Sequence, residues 1–205
     1  STRLVSFTQR AIVAIKYIVE PLDAAVRIAL QSELVANEPS ETTDPDPRGG
    51  AALRDPLTPE AAEVYDHSVV LVHRTRSSGL RVGAAMCHEI DGPPDTAIET
   101  DVLEDLGRVT AATTLEPGQR LRVVKLVGHS WSSRRSLPAM RAQVAGALAE
   151  ARHAGWDRIV AEQREYLDAF WDDADVELDG DAEVQQAVRF GLFHVLQAGA
   201  RAERR

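Results

Sequence analysis

The chain is poor in several residue types, and each scarcity removes a class of explanation. Its 205 residues hold one cysteine, Cys87, so no internal disulfide can staple the fold. Lysine occurs only as Lys16 and Lys125; the remaining basic side chains are arginine. Acids outnumber bases, 32 against 23, for a formal net charge of −9. Such a balance is a poor match for nucleic acid or an anionic membrane surface. Arg201, Arg204 and Arg205 form a local basic end, the usual complement of a helix C-terminus. No apolar run approaches the roughly 18 residues of a membrane span. The first residues lack an apolar stretch followed by a small-residue cleavage site, so a cytoplasmic location is expected. Asn37, the one asparagine, is followed by Glu38-Pro39 and makes no glycosylation sequon.

Most catalytic patterns fail as well. There is no phosphate-cradling G-x-x-x-x-G-K-[ST] and no G-x-G-x-x-G. Gly128-His129-Ser130-Trp131-Ser132 begins like a nucleophile elbow, but its fifth residue is serine and it follows an antiparallel pattern. It reads as a turn leaving a sheet. Cys87-His88-Glu89 has Gly92 where H-E-x-x-H needs its second histidine. The six histidines show no metal-ligand spacing. Asp172, Asp173, Asp175, Glu177, Asp179 and Asp181 are dense enough for paired-carboxylate chemistry. An acidic turn between helices explains them more simply. His194 reads as a packed or interface histidine.

What is present is a change of periodicity along the chain. Residues 1–36 alternate. In Ala11–Glu20, Val13, Ile15, Tyr17 and Val19 share one face and Ile12, Ala14, Lys16 and Ile18 the other. Pro21-Leu22-Asp23 turns the chain into a half-buried strand through Val26, Ile28 and Leu30. Residues 37–63 hold half of the prolines and read as one long loop, an insertion by composition. From Asp66 strands resume, through Val69–Val72 and, after Ser77-Ser78-Gly79, Leu80–His88. Gly92-Pro93-Pro94 interrupts; Ile98 and Val102 suggest a weaker strand. Arg108–Leu115 alternates, Glu116-Pro117-Gly118-Gln119 is a type II turn, and Leu121–Val127 is the return strand of a hairpin. About eight to ten short strands predict an antiparallel β-sandwich.

After Trp131 the spacing becomes helical. Pro138 suits a helix start, Val144, Leu148 and Ala151 follow one face, and Gly155 suits the stop. A second helix runs from Asp157 with Ile159, Val160, Gln163, Tyr166, Leu167, Phe170 and Trp171 on one face. Asp175–Leu178 looks strand-like. Asp181 then caps a last helix in which Val184, Val188, Leu192, Val195 and Leu196 make one apolar face and Ala187, Phe190 and Phe193 a second. A helix apolar on so much of its surface belongs in an array of helices. The chain is therefore expected to be a piece of a larger protein that stops just inside a helical domain. The division expected is 1–130, β-sandwich; 131–174, helical linker; and 175–205, start of that helical domain.

Ser32–Asn37, Leu121–Val127 and above all Asp175–Asp181 followed by Gln185–His194 resemble the family 65 glycoside hydrolases, the maltose, trehalose and kojibiose phosphorylases and related α-glucoside hydrolases. The resemblance runs through nearly the whole chain in order. It implies a mainly β fold with C-terminal α: an N-terminal super-sandwich, linker helices, and the first helix of an (α/α)6 barrel that carries the active site. It also implies the parent's chemistry. A barrel glutamate protonates the glycosidic oxygen while inorganic phosphate, the co-substrate, attacks the anomeric carbon from the opposite face with inversion. The general acid, the sugar-gripping residues and the phosphate loop all fall beyond residue 205. No catalytic, cofactor-binding or metal residue is assigned here, and this polypeptide alone is expected to be inactive. The expected partners are its own barrel, an α-linked glucose disaccharide through the parent enzyme, and a second copy in a homodimer. Two other classes remain open: a free-standing carbohydrate-binding sandwich, for which Phe7, Tyr17, Tyr65 and Trp131 are thin support, and a protein-interaction sandwich docking through helix 182–199.

Overall fold

The computed structural model describes residues 1–38 and 55–200. Most of the proline-rich loop, and the basic end at Arg201, Arg204 and Arg205, lie outside the described residues. Nine strands pair antiparallel: β1 (Thr2–Val5), β2 (Ile12–Val19), β3 (Val26–Val35), β4 (Leu57–Tyr65), β5 (Ser68–Thr75), β6 (Arg81–Asp91), β7 (Ala97–Val102), β8 (Leu106–Leu115) and β9 (Leu121–Ser132). They form a six-stranded sheet, β1-β2-β9-β6-β5-β4, and a three-stranded sheet, β3-β8-β7. Two helices follow, α1 (Leu137–Ala174) and α2 (Ala182–Ala200). The expected mainly β sandwich with C-terminal helices is the observed architecture.

The larger sheet is apolar on both faces because it is covered twice. On one face Ile12, Ala14, Val70, Val72, Ala85, Cys87, Val124 and Leu126 pack against Met140, Val144, Leu148, Ala151, Trp156 and Ile159 of α1. On the other face Val69, Leu71 and Met86 meet Val109 of the small sheet. β3 lies over β6, β8 over β5 and β7 over β4. Burial of one large aliphatic side chain contributes about 1.5–3 kcal/mol, so these two layers dominate the stability. Close approach is achieved with glycine. A Cβ on Gly83 would sit 2.9 Å from Met140, and one on Gly128 would sit 3.3 Å from the Val144 carbonyl oxygen.

Three expectations are corrected. The loop does not extend to residue 63, since β4 begins at Leu57. Pro59 is tolerated because β4 is an edge strand whose register shifts between Pro59 and Ala61. Asp66 and His67 then make the tight β4–β5 turn, both with positive φ (41° and 59°), as a type I′ turn requires. Second, β8 and β9 do not form a hairpin. The turn is as expected: Gly118 has φ 85° and the Gln119 N–H donates to the Glu116 carbonyl at 2.9 Å. It carries the chain from one sheet to the other, because Leu115 and Leu121 are both fully buried between the sheets. Third, residues 128–132 are no exit turn. They continue β9, paired with Arg81–Ala85 of β6.

The helical readings hold. Ser136 caps α1, its Oγ accepting from the Ala139 N–H at 3.3 Å. Gly155 leaves helical geometry at φ 73°, dividing α1 where glycine alone relaxes easily. Phe7 stacks on Tyr166 at 5.1 Å and donates its N–H to Gln163 Oε1 at 2.9 Å, fixing the second half of α1 to the β1–β2 turn.

Polar groups also meet between the sheets, among them Lys125 Nζ, which donates to the Glu33 carbonyl at 2.5 Å. His88 Nε2 meets Ser32 Oγ at 2.7 Å. Burial, and then the charge of Lys125, lower the His88 pKa to about 4. The folded state therefore binds fewer protons than the unfolded one between about pH 6.5 and 4, and stability falls as pH falls through that window. For His88→Gln, urea titrations from pH 7 to 4 are expected to show a shallower loss, by about 3 kcal/mol over the window. An unchanged slope would remove His88 as the cause. A Cβ at Gly107 would lie 2.3 Å from Val69 Cγ1. Gly107→Ala is expected to cost about 1–3 kcal/mol through overpacking. Adding Val69→Ala should cost less than the sum of the two single changes, as read by denaturant midpoints.

Candidate functional site

The groups singled out for chemistry are separated by the fold. Ser130 is buried within β9, opposite Gly83 of β6. Cys87 faces α1; burial pushes its thiol up to about 11, which removes it as a thiolate nucleophile. His88 is committed to Ser32 between the sheets. His194 is exposed and lies edge-on to Phe190 at 4.3 Å, rather than packed inside. Among the described residues no group of three or more His, Cys, Asp or Glu could hold a metal ion. No described helix is long and apolar enough to cross a membrane.

The acidic run has a structural use. Asp175–Leu178 is extended but joins no strand. The side chain of Gln185 takes the place of a neighbouring strand. Its Oε1 accepts from the Leu178 N–H at 2.7 Å, and its Nε2 donates to the Val176 carbonyl at 2.7 Å. Arg189, one helical turn on, grips Asp175 through both carboxylate oxygens, with Nε to Oδ1 at 2.8 Å. The guanidinium holds the Asp175 carboxyl below its ordinary range. Asp181 caps α2, its Oδ1 accepting from the Glu183 and Val184 N–H groups at 3.0 and 3.2 Å. Composition suggested the cap. It gave no sign of the Gln185 clamp, because a glutamine inside a helix normally faces solvent.

This clamp fixes where α2 starts relative to α1. One side of α2 rests on the body of the protein through Phe193, edge-on to Phe7 at 6.2 Å. The other side is bare. Phe190 is 64 % exposed and Val195 71 %, with Val184 also exposed. Val176 and Leu178 extend this apolar surface. It has the composition of a helix–helix contact.

A second feature is a groove of about 720 Å³ between α1 and the β4–β6 end of the large sheet. Arg141 stands at its mouth, donating to Tyr65 Oη at 2.7 Å and ion-paired with Glu63. Its floor is apolar, with Val70, Cys87 and Leu148. Its lining residues include no carboxylate. The base of the proline-rich excursion is also built. Asn37 brackets Leu57, donating to its carbonyl and accepting from its N–H, each at 3.0 Å. Asp105 ties Asn37 to the buried His73, whose Nε2 lies 2.7 Å away.

Comparison with known proteins agrees with this arrangement. Residues 1–170 match the glycosyl hydrolase family 65 N-terminal domain. A Mycobacterium tuberculosis protein described as an uncharacterised glycosyl hydrolase is 53% identical over all 205 residues, which span 26% of its length. The α,α-trehalose phosphorylase of Thermoanaerobacter brockii is 26% identical over 204 residues, 97% of this chain and 26% of that protein. The fold is shared with a human-microbiome structure described as a kojibiose phosphorylase, at TM-score 0.81 and 17% identity, covering 96% of this chain and 24% of that one. The chain thus spans about a quarter of the relatives it matches. With a family match over most of the sequence, and a sandwich followed by helices in the expected order, the chain belongs to glycosyl hydrolase family 65, in its N-terminal domain.

Proposed function

We propose that this chain is the non-catalytic scaffold of an inverting α-glucoside phosphorylase that transfers a glucosyl group to inorganic phosphate. The observation that carries the reading is the likeness to α,α-trehalose phosphorylase along 97% of the chain. In support of a scaffold role, Asp175 is ion-paired with Arg189 and Asp181 caps α2. An exposed apolar surface lies on α2, beside the clamp that fixes its direction. On this reading the bare side of α2 packs against helices of the catalytic barrel. The barrel supplies a general acid for the glycosidic oxygen, and phosphate attacks from the opposite face in place of an activated water. The substrate is an α-linked glucose disaccharide.

Hydrolysis is the second reading, favoured by relatives at 53% identity that are described as glycosyl hydrolases. A sugar-binding sandwich would need ring platforms. Among the described residues Trp131, 55% exposed and stacked on His129, and Tyr65, 53% exposed, are side chains of that kind.

The test is an assay of the full-length protein with trehalose, maltose and kojibiose, with and without phosphate. Equal amounts of glucose and β-glucose 1-phosphate, released only when phosphate is present, are expected. The 205-residue chain alone should release neither. Phosphate-independent release of two glucose molecules per disaccharide would replace phosphorolysis by hydrolysis.

A further inference from the structure

The groove beside α1 is open because the helix does not cover the large sheet evenly. α1 packs mainly on β9 and β6 and less on β5. Its inward row, Val144, Leu148 and Ala151, is buried. The flanking row, Ala142, Ala145 and Ala149, is exposed and lines the groove. Alanine is the residue that an exposed helix position takes most readily, so this row alone says nothing of a ligand. The wall opposite turns it into a trough. Val70 of β5 and Cys87 of β6 form an apolar floor there. Methyl-sized side chains on the helix leave that floor open.

The two arginines that line this trough differ in what they already hold. Arg141 and Arg152 stand about three helical turns apart on one flank, about 16 Å along the axis. Arg141 is neutralised, being ion-paired with Glu63 and donating to Tyr65 Oη. No hydrogen bond or ion pair joins Arg152 to another described residue. Its guanidinium stands near the floor, since its positive charge acts on the buried Cys87 thiol. Glu89, the other charge felt by that thiol, follows Cys87 on the same face of β6. It makes no ion pair with Arg152 and does not line the groove. His153 adds an imidazole beside Arg152. The groove thus has one uncommitted guanidinium, and alanine alone on the helix wall between it and Arg141.

We propose that this groove binds a small amphiphilic anion, an unbranched aliphatic chain ending in a single carboxylate. The carboxylate pairs with Arg152, whose planar fork suits two parallel hydrogen bonds. The chain runs from there along Ala149, Ala145 and Ala142, over Val70 and Leu148, toward Arg141. The volume of about 720 Å³ lies within the usual range of small-molecule sites, about 300–1,000 Å³. The charges select the head. A dianion would find one free guanidinium, because Glu63 already occupies Arg141. The walls select the body. A polyol would find only Ser68 and His153 beside the arginines and the engaged Tyr65, and its remaining hydroxyls would be desolvated without partners. An aliphatic chain loses nothing against alanine, valine and leucine and gains by leaving water.

The test is calorimetric titration of the full-length protein with sodium decanoate. Saturable binding of one decanoate per chain is expected. Octanoate, shorter by two methylene groups, should bind about tenfold more weakly. Decanol, with the same chain and no charge, should also bind about tenfold more weakly than decanoate. Arg152→Ala should remove the difference between decanoate and decanol. Ala145→Leu fills the trough from an exposed position with another good helix former, so the far-ultraviolet circular dichroism should not change. It should weaken both ligands by about tenfold or more. Absence of saturable heat would overturn the proposal. So would undiminished decanoate affinity in either variant, which would place the ligand elsewhere on the protein.

Discussion

The contact on which the rest depends is the seating of α1 across the large sheet. α1 turns Met140, Val144, Leu148, Trp156 and Ile159 onto the sheet, and the sheet meets the first three at two points where it has no side chain, Gly83 and Gly128. That close fit buries Met140, Val144, Leu148 and Trp156 together with the cores of β2, β5, β6 and β9. The same fit sets the path of the chain afterwards. Gly155 redirects α1 without leaving the sheet, Tyr166 stacks on Phe7, and the end of the helix arrives where Asp175, Gln185 and Arg189 can lock the next segment. The helix is thus both a lid on the sandwich and the arm that orients α2.

Function follows from what this order leaves uncommitted. Several of the polar groups that invite a test for catalysis are spent on structure. His88 holds Ser32 across the sandwich, Asp175 holds Arg189, Asp181 caps a helix, and Glu60 shields an edge strand. The surfaces left bare are apolar and lie on α2 and beside β3. The proposed scaffold role rests on this division between committed charges and exposed apolar faces.

Much of this was legible in the sequence because local rules governed it. The Pro117-Gly118 turn, the Gly155 break and the Asp181 cap each depend on one residue's backbone preference, and each stands where the pattern put it. The misses are of another kind. Whether the turn after Leu115 closes a hairpin or crosses between sheets depends on what lies opposite Leu115 and Leu121, which no local pattern records. Pro59 looked like loop because proline penalises strands in general, and only the topology made β4 an edge. Asp66-His67 lacks the Asn-Gly or Asp-Gly signal of a type I′ turn, so the hairpin was hidden. The strand-like run at Asp175–Leu178 found a side chain, Gln185, in place of a strand.

The central claim is that the carboxylates in this region position and do not react. It is tested most directly by steady-state kinetics on the full-length enzyme, with Asp172, Asp173, Asp175, Glu177, Asp179 and Asp181 changed one at a time to the matching amide. The account predicts that no single change lowers kcat by more than about tenfold and that the pH profile keeps both limbs, since loss of a general acid or base costs about 10²–10⁴. A thousandfold loss at one position, with one limb of the profile gone, would put a catalytic residue in this region and contradict the account.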